Sequence, residues 1–163
     1  MVVWLEEIVC VVEGVRAATG MYTISDAWAF NEYDVFFTDR RIVMAVVHGQ
    51  RDWQAAPTND LEALATAAGK MLKYDDVKRE RREQFKGKTP EEILHMHPDS
   101  FEIPYGNIKS VKLSSGLLTK TLEIKALLAQ EEKKFKLSIP KKYFEDVKSI
   151  VDKYLPRKSP VAT

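Results

Sequence analysis

The sequence predicts a mainly β fold with added helices: a seven-stranded antiparallel barrel or sandwich, capped by a C-terminal amphipathic helix, with a helical insertion after the third strand. Three observations lead there. Seven segments carry β-branched runs or apolar–polar alternation bounded by turn residues. Residues 55–99 switch to helical spacing and helix caps. Residues 143–155 hold one continuous apolar stripe of helical period. The chain has 163 residues, 45% of them hydrophobic and 30% charged. That is the composition of one soluble domain, placed at residues 1–156, with a flexible tail at 157–163.

The elements follow in order. Residues 8–17 are rich in Val and Ile and predict a strand, with Gly14 as a bulge. Residues 18–31 are mixed and aromatic and read as a long loop. Tyr33–Thr38 and Ile42–Val47 are apolar runs joined by Asp39, Arg40 and Arg41, the pattern of an antiparallel hairpin. Asn59 or Asp60 caps a helix bearing Leu61, Leu64, Ala65, Ala68 and Leu72 on one face. The charged stretch Lys78–Glu83 continues as helix until Gly87. Thr89-Pro90-Glu91-Glu92 opens another, with Thr89 as cap, Pro90 where a missing N–H costs nothing, and Glu92 completing a capping box. Pro98 stops it.

Phe101–Tyr105 is a short strand with Pro104 near an edge, and Gly106-Asn107 turns the chain. Residues 108–114 form the next strand. Leu122, Ile124, Ala126 and Leu128 alternate with polar neighbours, as do Phe135, Leu137 and Ile139, so both segments are half-buried strands with a turn at 130–132 between them. Pro140 opens the last helix, whose stripe runs through Tyr143, Phe144, Val147, Ile150, Val151, Tyr154 and Leu155 before Pro156 ends it. Wet-faced antiparallel strands must protect their edges, and curling into a barrel plugged by this helix would do so.

Charge and composition narrow the function classes. Lys plus Arg number 25 and Asp plus Glu 24, a net charge of +1, which argues against a basic coat protein for nucleic acid. The balance conceals a division: residues 1–60 hold four basic and nine acidic side chains, a net of −5, so the remainder carries +6. Folding is expected to intermix these charges. No apolar run is long enough to cross a bilayer, the acidic start is unlike a signal peptide, and a single cysteine, Cys10, cannot form an internal disulfide. The expected compartment is the cytoplasm.

Tyr33–Val43, YDVFFTDRRIV, resembles the strand-turn-strand signature of bacterial and archaeal pleckstrin-homology-like domains. Phe101–Val111, FEIPYGNIKSV, resembles their second signature, and the strand pair and terminal helix follow in the same order. The resemblance covers residues 6–49 and 101–156. It implies a binding or assembly module, an oligomer among the possibilities, rather than an enzyme.

The candidate sites are weighed on chemistry. In eukaryotic relatives of the resembling family, phosphoinositide binding relies on clustered Lys and Arg around the first loop. Here residues 18–31 contain no Lys or Arg and include Asp26, which argues against that ligand. The same loop carries Met21, Tyr22, Trp28 and Phe30, which are either a partner-binding surface or a cover for the barrel. Arg79, Arg81 and Arg82 are candidates for binding nucleic acid or another anionic surface, but interleaved acids favour a solvated helix with internal ion pairs. His95 and His97 point to different faces of a helix, and a metal site with His48 would need the fold to unite them. Cys10 reads as a buried inert thiol. There is no phosphate loop, nucleophile elbow or paired-histidine metal motif, so no catalytic residue, cofactor or metal ligand is assigned. The expected function is a non-enzymatic protein-interaction or self-assembly module. Anion binding through residues 78–88, and a small-ligand binder or enzyme, are the alternatives.

Overall fold

A computed structural model describes residues 5–18, 24–53, 74–117 and 119–155. The strands are β1 (Ile8–Ala17), β2 (Glu32–Thr38), β3 (Arg41–His48), β4 (Phe101–Pro104), β5 (Ile108–Ser115), β6 (Lys120–Leu128) and β7 (Glu131–Ile139). The helices are α1 (Gln50–Trp53), α2 (residues 74–85), α3 (Pro90–His95) and α4 (Phe144–Tyr154). The strands form one antiparallel sheet in the order β4-β3-β2-β1-β7-β6-β5.

The expected fold class is present, with helices after the third strand and at the C-terminus. The barrel is not closed: β4 and β5 are opposite ends of the sheet, and no ladder joins them. The chain leaves Pro104 through a tight 3-10 turn, Tyr105–Asn107, and this short connection carries it from one edge to the other.

β1 is shared between the two halves. Ile8–Val15 pair with β2, then Arg16 and Ala17 pair with Ser138 and Leu137 of β7. The hand-over falls at Gly14, where the register shifts and φ is +73°. A residue without Cβ takes this left-handed conformation without steric cost, and its N–H donates to Asp34 Oδ1 at 3.1 Å.

The main core lies inside the curled sheet. Tyr33, Val35 and Phe37 of β2 meet Ile42, Met44 and Val46 of β3, and Leu122, Ile124, Phe135 and Leu137 come from the other half. Val147, Ile150, Val151 and Leu155 of α4 enter the same core, as the apolar stripe predicts. The segment from Pro140 begins as a 3-10 turn, Lys141–Tyr143, before α4 starts.

A second, smaller core lies on the outer face of the first half. Phe36, Val43, Ala45 and Val47 are buried there against Phe85 and Ile93 from the insertion. Both faces of β2 and β3 are thus covered, which explains why Ile42–Val47 is an unbroken apolar run rather than an alternation. The capping box at α3 is present, with Thr89 Oγ1 accepting the Glu92 N–H and the Glu92 carboxylate accepting the Thr89 N–H.

Three expectations shift locally. Part of the 18–31 loop is 3-10 structure, Ile24–Phe30. Arg41 belongs to β3, leaving Asp39-Arg40 as the hairpin turn. The β6–β7 turn is Ala129-Gln130, and Glu131 and Glu132 are already in β7. The helix expected at 61–72 and the tail at 157–163 lie outside the described residues. No helix among the described residues is long and apolar enough to cross a membrane.

Candidate functional site

The gap between β4 and β7 opens as a groove of about 620 Å³. Its aromatic wall follows from the two halves approaching each other: Phe101 of β4 stacks on Phe135 of β7 with centroids 5.4 Å apart. Trp28, from the 3-10 segment, stands edge-on to Phe135 at 5.0 Å. The Tyr33 hydroxyl holds that segment by donating to the Trp28 carbonyl at 2.8 Å. Ala27, Leu94, Pro98 and Leu128 complete the apolar lining.

The polar side chains around the groove are nearly all occupied. His95 Nε2 lies 2.7 Å from Glu91 Oε1. His97 Nδ1 accepts the Asp99 N–H at 3.0 Å, Ser100 Oγ accepts the Val46 N–H at 2.9 Å, and Glu102 accepts from Arg41. Lys133 differs from them: it lines the groove and makes no ion pair among the described residues. Its register partner is Ala126, on the core-facing side of the sheet. Lys133 therefore extends the inward row of Phe135, Leu137 and Ile139 out to the mouth of the groove.

The basic helix is placed differently from the solvated face expected of it. Lys78, Arg81 and Arg82, three and four residues apart, turn towards carboxylates of the acidic first part of the chain. Arg82 grips Asp34 through Nε at 2.7 Å and Nη2 at 2.8 Å. Arg81 grips Asp52 at 2.8 and 2.9 Å and also donates to the Val47 carbonyl. Lys78 Nζ lies 2.9 Å from Glu32 Oε2, while Arg16 and the Tyr74 hydroxyl hold Oε1. Arg79 pairs with Asp76 within the helix, and Lys86, just past its end, pairs back with Glu83. All three candidate anion-binding arginines are already bound to carboxylates, Arg81 and Arg82 to the sheet side and Arg79 to Asp76 of its own helix.

These contacts set the charge states. Burial disfavours ionised Glu32, but hydrogen bonds from Lys78, Tyr74 and Arg16 outweigh it and hold the carboxyl below its ordinary pKa. Burial likewise opposes ionisation of Asp52, and the Arg81 guanidinium and the Gly49 N–H reverse the balance. His48 is pushed down, first by burial, so its ring is neutral near pH 7.

A second hub ties Glu6, just ahead of β1, to the sheet. Arg41 bonds Glu6, Glu91 and Glu102 together. Thr38 Oγ1 accepts the Arg40 and Arg41 N–H groups and donates to Glu6 Oε2 at 2.6 Å. Burial works against the Glu6 charge, and the bonds from Arg41 and Thr38 overcome it, lowering its pKa. Of the two adjacent arginines, Arg41 at the start of β3 pairs with Glu102 of β4, Glu91 of α3 and Glu6 ahead of β1, and Arg40 in the turn is exposed.

Of the predicted partner-binding residues, Trp28 lines the groove. Phe30 is 52% exposed and lines a separate 200 Å³ pocket with Arg16, Glu32 and His48. Met21 and Tyr22 lie outside the described residues. His95 and His97 share the groove while His48 lines the other pocket, so the three histidines do not converge. Among the described residues no group of three His, Cys, Asp or Glu could hold a metal ion. Cys10 is half-buried rather than fully so, and burial, then the charge of Asp146, push its thiol up.

Sequence reasoning did not pick out Phe101, Phe135 or Lys133. Phe135 is buried core, as its alternation implies, and Phe101 is partly buried against it. The signal for Lys133 was present: the period-two row through Ile139, Leu137 and Phe135 reaches it two residues further back. Comparison with family models, with curated proteins and with solved structures finds no match for the chain.

Proposed function

We propose that this protein is a non-enzymatic protein-interaction module whose docking site is the groove between β4 and β7. The observation that carries the reading is the pair of half-buried aromatics Trp28 and Phe101, backed by the buried ring of Phe135, on the wall of an open 620 Å³ groove. Rigid aromatic surface beside a sheet edge suits the anchor residue of an extended peptide, because burying it releases much water at little conformational cost. The polar groups around it are held by Glu91, Arg41 and the Asp99 and Val46 amides, and among the described lining residues no nucleophile is paired with a base. The resemblance to pleckstrin-homology-like domains agrees with a binding module.

Selection from a phage-displayed peptide library tests this. Peptides with a bulky apolar residue are expected to be enriched, and Trp28→Ala and Leu128→Ser to abolish their binding while the protein stays folded. Failure to enrich any peptide, or binding that survives both substitutions, overturns the reading.

Self-assembly is favoured by a separate observation: β5 is an eight-residue strand at the end of the sheet, with no partner strand on its outer side among the described residues. Light scattering tests it, and a strict monomer at high concentration counts against it. Binding of anions through α2 draws less support, since Arg81 and Arg82 already hold carboxylates.

A further inference from the structure

Resting on the proposed docking site, we infer that the groove selects an extended peptide in which a bulky apolar residue is followed closely by an acidic one, with Lys133 reading the acid. The inference comes from an asymmetry in the lining. His95, His97, Ser100 and Glu102 each have a partner within the protein, so none of them offers a free charge to a ligand. Lys133 makes no ion pair among the described residues, and it stands at the open end of the inward row that leads to Phe135.

An ammonium beside an apolar wall leaves one complementary chemistry for an occupant: an apolar group carrying a negative charge a few ångströms away. A lysine at such a rim adds little to affinity but discriminates between charges, because a like charge is repelled there and an opposite one attracted. An extended peptide is favoured over a free acid by the adjoining edge. β4 supplies Phe101 and Glu102 to the lining and, among the described residues, ends the sheet with no strand on its outer side, so backbone groups lie beside the side-chain pocket. Glu131 ends the same row at the hairpin but does not line the groove.

The test uses acetylated, amidated hexapeptides with a central Phe, Leu or Trp and either Asp, Asn or Lys two residues later. Binding to the full chain is measured by calorimetry at low and high salt. The Asp peptides are expected to bind about two- to fivefold more tightly than their Asn counterparts, the size of an exposed ion pair, and the preference should shrink in high salt. Lys133→Met should erase the preference while retaining the peptide. Lys133→Glu should reverse it towards the Lys peptides. Because Lys133 is exposed, both variants are expected to unfold at the parent temperature.

Equal binding of Asp and Asn peptides, or a preference unchanged in Lys133→Met, overturns the acidic selectivity and leaves the docking site standing. Binding by none of the peptides overturns both. Free 3-phenylpropionate is the remaining arm. If it binds as tightly as the Asp peptides, the groove is a small-acid pocket and the peptide assignment is overturned.

Discussion

Arg82 meets Asp34 through two parallel hydrogen bonds of 2.7 and 2.8 Å, and Asp34 is 1% exposed. The pair joins a helix of the insertion to the second strand of the sheet, and Asp34 also receives the Gly14 N–H at the point where β1 changes partner. One carboxylate thus fixes both the bend of β1 and the seat of α2.

Removing one side of this pair should cost more than removing both. Arg82→Met leaves a buried carboxylate without its cation and is expected to lose about 3 kcal/mol. The double variant Asp34→Leu with Arg82→Met replaces the pair by apolar volume and should recover part of that loss. Urea unfolding of the four members of the cycle measures it. A double variant less stable than either single would contradict the expectation.

Phe85 fastens α2 to the sheet independently of charge. Its ring stands edge-on to Phe36 at 5.4 Å and is 8% exposed. Phe85→Ala is expected to cost about 3 kcal/mol and to release α2 first. Hydrogen exchange should then show the amides of 74–85 losing protection ahead of β6 and β7.

Stability should fall in acid. Glu6, Glu32 and Asp52 have native pKa values below their ordinary 4.5, 4.5 and 3.8. Groups lowered in this way contribute fully above the unfolded-chain values, and the contribution is lost as pH falls through the native ones. A plot of unfolding free energy against pH should therefore be level above about pH 5 and decline below the mid-fours. Glu32→Gln should make the decline shallower.

The β6–β7 turn is an opportunity for stabilisation. Ala129 and Gln130 have φ of 50° and 65°, the pattern of a two-residue turn that Asn-Gly adopts more readily. Ala129→Asn with Gln130→Gly is expected to gain about 1 kcal/mol, read as a higher midpoint in thermal unfolding.

The strands were legible because β-branched runs and strict alternation report burial directly. The cap of α3 was legible because its four residues interact only with each other. The partners of Lys78, Arg81 and Arg82 were not, because the carboxylates they bind lie 29 to 48 residues away and the helix by itself looks internally balanced. A hint existed in the division of charge, −5 against +6: the acidic β2 and its neighbours are where part of the excess positive charge goes. The groove was hidden for another reason. Phe101 and Phe135 come from strands far apart in the chain, and only the fold stacks their rings beside Trp28.

The insertion also bears on the order of folding. β3 and β4 are neighbours in the sheet, yet the paired residues Met44 and Phe101 are 57 positions apart in sequence. Chain entropy penalises closing such a loop more than closing the two-residue turns that join β2 to β3 or β6 to β7. The local meanders have the advantage of proximity; β4 docks at greater entropic expense, and the β1–β7 ladder, which pairs Arg16 with Ser138, at more still. Since β4 brings Phe101 and Glu102 and β7 brings Lys133 and Phe135, the groove is assembled only by long-range pairings, and excursions of β4 would reshape it while leaving the local hairpins intact.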